Sequence, residues 1–281
     1  MKIGFLTSGG DCQALNAAMR GTAKYLYEKG RNKVEFYGFL DGYKGLIRGN
    51  YKKMKIDDFE DILNLGGSVI GNSRTPFKLI NEPDEEGRDK VKSMIDTYKK
   101  TGLDCLVVAG GNGSHKTANL LFEKGLNVVT LPKTIDNDLE GIDVSFGFQS
   151  AIDVATDYID KLQSTAKSHG RVFVVEVMGH KTGWLTLHAG IASNSDIILI
   201  PEIPYDINAV VKDIEEKEKR GKKYIIIAAA EGIISKEESL LTKKELKKKR
   251  KEGGNLIAAE RLAREFEPYV DKEIRTASIG H

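Results

Sequence analysis

Three segments of this sequence gather residue types suited to holding phosphate and moving a proton. The first is Ser8-Gly9-Gly10-Asp11, with Asn16 and Arg20 a few residues further on. Glycine there lets backbone N–H groups approach an anion, and the start of a following helix adds partial positive charge. A tight strand-to-helix turn also needs glycine on steric grounds, so this segment alone leaves both readings open. Gly9 and Gly10 are adjacent, with no third glycine at the dinucleotide spacing, so this is not a Rossmann fingerprint. The second segment, Gly110-Gly111-Asn112-Gly113-Ser114, repeats the construction. So many glycines cost considerable chain entropy, which close approach of backbone to phosphate explains better than a turn alone. No Gly-Lys-Ser/Thr ending follows, so a Walker-type nucleotide loop is not supported. The third segment, Pro132-Lys133-Thr134-Ile135-Asp136-Asn137-Asp138, crowds two carboxylates, an amide, a hydroxyl and an amine into one loop. An aspartate here could accept the proton of an attacking hydroxyl, and Asp136 or Asp138 could meet a magnesium ion carried on phosphates. Asp-Asn clusters also build ordinary Asx turns.

Each segment directly follows a short apolar run. Such runs, rich in Val, Ile and Leu, predict strands at 3–7, 34–39, 105–109, 128–131, 172–177, 197–200 and 224–230. Between them lie stretches with helical spacing, the clearest carrying Ile152, Ala155, Ile159 and Leu162. Alternating strands and helices, with strands too uniformly apolar for a half-exposed sheet, predict an α/β fold whose mostly parallel sheet is covered on both faces. Ligands then belong at the carboxyl ends of the strands.

At 281 residues, two domains or one large domain with an appendage are expected. No linker or internal repeat marks a boundary. The balance of 40% hydrophobic and 30% charged residues argues against disorder, and no run of 18 apolar residues occurs. A net charge of +2 provides no global field to recruit nucleic acid or an anionic membrane, so neither is an expected partner. Cys12 and Cys105 match no metal or disulfide spacing, and the first residues hold no signal-peptide core, which together predict a cytoplasmic protein. Seven of the nine residues 243–251 are Lys or Arg. Without interleaved aromatics this stretch reads as a solvated helix face, with an acidic-partner or nucleic-acid patch as the alternative.

The three loops recur in one order with Gly71-Asn72-Ser73-Arg74, Ser168-His169-Gly170-Arg171, Met178-Gly179-His180-Lys181-Thr182-Gly183, Pro201-Glu202, Glu231, and Arg275 through Gly280-His281. In this set the chain resembles the 6-phosphofructokinase family over nearly all its length. The resemblance implies two Rossmann-like three-layer domains, a donor-binding one over 1–140 and a sugar-phosphate-binding one over 141–281. The second would be incomplete at its C-terminal end, since relatives continue past His281 into a Gln-Arg-Gly-Gly stretch. It further implies transfer of the γ-phosphoryl group of ATP to the 1-hydroxyl of fructose 6-phosphate with Mg2+. Asp136 would be the base, Thr134 and Asp138 would position substrate and metal, and Arg74 would stabilise the phosphoryl group in flight. Gly10, Gly110, Gly111, Asn112, Gly113 and Ser114 would hold the nucleotide phosphates, with Tyr43 beside the base. Arg171, Met178, Gly179, His180, Glu231, Arg275 and His281 would hold the sugar phosphate, some arginines reaching across the interface of a homodimer or homotetramer.

This sequence departs from the family pattern at several of those positions. Gly113 matches relatives that use ATP, whereas Lys133 matches relatives that use pyrophosphate. A carboxylate at 113 would repel the α-phosphate, so Gly113 favours ATP, with pyrophosphate as the alternative donor. Asn112 stands where an aspartate usually meets magnesium, which shifts metal binding toward Asp136 and Asp138. His180 replaces a common arginine. Arg20 and Lys222 match part of the effector site of bacterial relatives, while Gln163 does not. A non-catalytic binding subunit, and a longer sugar such as sedoheptulose 7-phosphate, remain further alternatives.

Overall fold

A computed structural model describes residues 1–30 and 33–280. The chain divides into two compact units, Met1–Ile135 with Leu139–Gly147, and Asp136–Asp138 with Phe148–His281. The expected boundary between 140 and 141 falls inside the stretch where the chain passes between them.

The first unit runs β1 (Lys2–Thr7), α1 (Ala14–Lys29), β2 (Glu35–Phe39), α2 (Tyr43–Arg48), β3 (Tyr51–Met54), α3 (Lys90–Thr101), β4 (Cys105–Gly110), α4 (Asn112–Glu123) and β5 (Val128–Pro132). Its sheet has the order β3-β2-β1-β4-β5, parallel except where β3 pairs antiparallel with β2. Alternation along the strands splits the core into two layers. Ile3, Phe5, Phe36 and Val107 pack with Met19 and Ala23 of α1. Leu6, Phe39, Leu106 and Val108 face the other way, against Tyr43, Met94, Tyr98, Ala118 and Leu121 of α2, α3 and α4. Both faces are therefore covered, as the apolar strand composition requires.

The second unit continues with α5 (Phe148–His169), β6 (Val172–Val177), α6 (Trp184–Ala192), β7 (Ile197–Leu199), α7 (Ile207–Lys219), β8 (Ile225–Ala230), α8 (Lys236–Ser239), α9 (Lys243–Glu252), α10 (Ala258–Phe266) and β9 (Ile274–Ile279). Its sheet is wholly parallel, in the order β7-β8-β6-β9. Val172, Val174, Ile225 and Ile227 pack on Ile214, Leu262 and Phe266 from α7 and α10. Phe173, Val175 and Val177 are also buried, on the face toward α5 and α6. The fold is thus two three-layer α/β units with mostly parallel sheets.

Two strands lie outside the apolar runs. β3 reads Tyr-Lys-Lys-Met and exposes its first three residues; β9 mixes exposed and half-buried positions. Both are edge strands, which need no continuous apolar run. The basic stretch lies in α9; the Thr242 hydroxyl and the Glu245 carboxylate cap each other's backbone at the start of that helix, whose lysines point into solvent. Among the described residues, no helix is long and apolar enough to cross a membrane.

Candidate active site

In the first sheet the chain moves outward from β1 to β2 on one side and enters β4 on the other. That reversal opens a crevice at the carboxyl ends of β1 and β4, the ligand position of doubly wound sheets. Gly9 and Gly10 leave β1 there, and Gly110 and Gly111 leave β4. A cavity of about 310 Å³ lies over them, lined by both glycine turns, Arg74, Lys133 and Thr134. The loop 75–77 completes the wall. Phe77 is its aromatic residue; its signal in the sequence is an aromatic three places after Arg74.

The glycines divide into two kinds. Gly9 has φ +94°, a left-handed conformation, and a Cβ on Gly110 would fall 2.5 Å from the Ser114 side chain. These two are demanded by the backbone and by packing. Gly10 and Gly113 have no such reason. A Cβ on Gly113 would meet nothing within 4 Å, and one on Gly10 only an Arg74 nitrogen at 4.0 Å. A Cβ on Gly111 would make one ordinary contact, at 3.6 Å to the Lys133 carbonyl. At these positions the missing side chains leave open space above the turn. Gly111 also stands at the N-cap of α4, where no side chain caps the helix, so the N–H groups of its first turn stay turned toward that space.

Around the turn the supporting side-chain bonds are partly buried. Lys133 is 4% exposed; its ammonium donates to the Gly10 carbonyl and its backbone N–H to the Gly110 carbonyl at 3.0 Å. The Asn72 amide donates to the Gly9 carbonyl at 2.7 Å, which ties the Arg74 loop to the first turn. Asn72 Oδ1 is buried and takes no hydrogen bond. Tyr43 corrects an expectation. It is fully buried in the core beneath α4, and its hydroxyl donates to the Ser114 carbonyl at 2.8 Å, so it is not placed to lie beside a bound base. Burial pushes its phenol far above the usual range. Burial likewise raises the Cys12 thiol, against the opposing pull of the Lys133 charge.

Asp136, Asn137 and Asp138 group with the second unit, where the Thr182 hydroxyl donates to the Asp136 carbonyl at 3.1 Å. Asn137 holds φ +52°, a left-handed conformation that asparagine tolerates. Thr134 belongs to the first unit; its carbonyl accepts from the Ser145 hydroxyl at 2.6 Å. Asp136 is half-buried and Asp138 exposed. Among the described residues no three His, Cys, Asp or Glu side chains gather into a metal cage. Magnesium usually binds through one or two carboxylates plus substrate phosphates and waters, so this donor set fits a metal that arrives on the donor.

The carboxyl ends of β6 and β8 make a second set. Glu231, just past β8, accepts from the backbone N–H of Gly179 at 3.2 Å and of His180 at 2.6 Å. It thereby shapes the turn that follows Met178. His180 is left-handed, with φ +51°, unusual for a residue with a Cβ. Arg171 and Arg275 stand at the other end of the same sheet. Arg171 precedes β6, Arg275 pairs in register with Phe173, and both bond the Glu273 carboxylate. β6 is six residues long, so about 16 Å of strand separates them from Glu231. Within one chain, Arg171 and Arg275 therefore stand apart from Glu231, at the opposite end of the sheet. The arginines also hold the Glu273 carboxyl below its usual range, the Arg171 hydrogen bond contributing most. His281, the remaining expected site residue, lies outside the described residues.

The bare-glycine turns at the switch point of the first sheet define an α/β protein whose crevice has the character of an anion site. The family model for phosphofructokinase matches residues 2–281, and the chain belongs to the phosphofructokinase family. Among similar curated proteins, an "ATP-dependent 6-phosphofructokinase" of Spirochaeta thermophila is 55% identical over 225 residues, 79% of this chain and 61% of the relative. A "Pyrophosphate--fructose 6-phosphate 1-phosphotransferase" of Amycolatopsis methanolica is 41% identical over 218 residues, 77% of this chain and 61% of the relative. These alignments span about three fifths of each relative's length. A solved phosphofructokinase from Saccharomyces cerevisiae is 30% identical, with a TM-score of 0.79 over 100% of this chain and 38% of that one.

Proposed function

We propose that this chain carries out the ATP-dependent 6-phosphofructokinase reaction of glycolysis in the cytoplasm, phosphorylating the 1-hydroxyl of fructose 6-phosphate to give fructose 1,6-bisphosphate. The observation that carries this reading is the bare turn. Gly10 and Gly113 are glycines that neither packing nor φ requires, beside an uncapped helix N-terminus and Arg74. That combination suits a phosphate chain pressed against backbone.

Roles follow from the chemistry of each residue. Asp136 takes the proton of the sugar hydroxyl as its oxygen attacks the γ-phosphorus and ADP leaves. Thr134 and Asp138 orient the reactants. Arg74, permanently charged, stabilises the phosphoryl group in transfer. The N–H groups of the 110–114 turn hold the donor phosphates, and Phe77 replaces Tyr43 as the aromatic residue beside the base. Asp136 and Asp138, with Asn112 as a weaker partner, would hold magnesium, which when bound neutralises phosphate charge. Glu231, Met178, Gly179 and His180 face the sugar. Arg171 and Arg275, at the far end of their own sheet, serve the site of a neighbouring copy in a homodimer or homotetramer.

One observation favours a second reading. Lys133 is a buried ammonium at the edge of the donor cavity, well placed to neutralise pyrophosphate. Initial rates of fructose 1,6-bisphosphate formation, measured in parallel with ATP and with pyrophosphate, decide between them. The ATP reading expects turnover with ATP. Turnover with pyrophosphate alone moves the weight to Lys133, and donor binding without any turnover leaves a binding subunit.

A further inference from the structure

We infer that Tyr43 is a positioning residue for the donor turn: its buried hydroxyl holds the first turn of α4 from below, so that the N–H groups above stay unoccupied and fixed in place. The inference rests on the donor reading of the 110–114 turn. It concerns a residue that touches no ligand itself.

A helix start is ordinarily locked by an N-cap side chain that accepts hydrogen bonds from the first N–H groups. α4 has Gly111 at that position and no side-chain cap. A cap would occupy the donors that an anion needs. Here the turn is anchored through its carbonyl side instead. The Tyr43 hydroxyl donates to the Ser114 carbonyl at 2.8 Å, in a bond buried from solvent. Ser114 is at the same time wedged against Gly110, where a Cβ would fall 2.5 Å from its side chain. The turn is thus held from two sides, and neither contact uses a donor on the ligand face.

A buried phenol must find some partner, and a satisfied core tyrosine is the plain alternative. Two features argue against that reading. Phenylalanine would fill the same apolar site among Leu6, Phe39, Leu46 and Leu121 with no polar atom to satisfy. The partner found is also not local: the bond spans 71 residues, from α2 to α4. Its near end is tied to the Arg74 loop as well. The Asp41 N–H donates to the Ile70 carbonyl at 2.9 Å, and the Ser73 hydroxyl to the Asp41 carbonyl at 2.5 Å. Gly42, with φ +66°, turns the chain between these bonds and Tyr43. One phenol therefore sets the spacing between the anion-holding N–H groups and the loop that carries Arg74.

The test removes that hydroxyl and, separately, a second one from the same core. Tyr37 lies in the same cluster, but its hydroxyl donates to Glu35 of its own strand at 2.9 Å. In Tyr43→Phe, amide hydrogen exchange over 112–118 is expected to speed up, and calorimetric affinity for MgADP and for pyrophosphate to fall roughly three- to ten-fold, the share of one hydrogen bond. The KM for fructose 6-phosphate should stay within about two-fold, and Tyr37→Phe should match wild type throughout. Adding Gly111→Ser to Tyr43→Phe should slow exchange again without restoring affinity, because a cap competes with the anion. Wild-type exchange and affinity in Tyr43→Phe would overturn the inference, as would the same losses in Tyr37→Phe. A wild type that binds neither anion would instead bring down the donor reading itself.

Discussion

Gly113→Asp should strengthen the fold and weaken the donor site at once. Position 113 is the second residue of α4, and a Cβ there meets nothing within 4 Å. A carboxylate in the first turn interacts favourably with the helix dipole, by about 0.3–1 kcal/mol. For a chain of this size that corresponds to a rise in Tm of roughly 1–3 °C. The same carboxylate would stand about 5 Å from a phosphate held by the turn, and at an effective dielectric near 20 two like charges repel by about 3 kcal/mol. Donor affinity should then drop by about two orders of magnitude. Gly113→Ala adds bulk without charge and should change affinity far less. Gly110→Ala, by contrast, collides with Ser114 and should cost about 1–3 kcal/mol of stability. Thermal unfolding with MgADP titration on all three variants separates these effects. A Gly113→Asp protein that melts lower than wild type, or keeps wild-type donor affinity, would refute the reasoning.

Other consequences can be checked alongside. Asp136→Ala should lower turnover by roughly two to four orders of magnitude with donor affinity unchanged, and equal turnover in both proteins would end its role as base. If Arg275 serves a neighbouring copy, mixing inactive Arg275→Ala and Glu231→Ala proteins under exchange should restore about a quarter of the sites of a random dimer; mixing restores none if both act within one chain. Burial raises the Cys12 thiol, so its thiolate fraction at pH 8 is below that of an ordinary cysteine. Alkylation followed by mass spectrometry should therefore be slow at pH 8 and climb above pH 9, and Lys133→Met, which removes a lowering charge, should slow it further.

The interior parallel strands were legible from their apolar runs, and β1, β4 and β8 match their expected ranges to within a residue. β3 was not, since an edge strand of Tyr-Lys-Lys-Met has no apolar face to announce it. The start of α9 carried a readable capping signal, Thr242 three residues before Glu245, in a stretch whose charge drew attention first. At the candidate site, glycine spacing picked out two turns that line the same cavity. Only coordinates separate Gly9 and Gly110, which the backbone and packing demand, from Gly10 and Gly113, which they do not. Tyr43 was misplaced because a lone tyrosine after a glycine gives no sign of whether its ring points to ligand or core. The place of Arg171 was also legible: it precedes its strand, so it stands at the amino end of the sheet.

The pairing of β9 with β6 has a consequence for how the chain is made. All strands of the first sheet have been synthesised by Pro132, whereas β6 ends at Val177 and its neighbour β9 ends only at Ile279. At ribosomal rates of about 5–20 residues per second, roughly 5–20 s pass between the two. Throughout that interval one edge of β6, a strand buried along its whole length in the finished protein, has no partner. The nascent second unit is thus exposed to mispairing after the first can already have folded, and slowed translation between 177 and 279 would lengthen that period of risk.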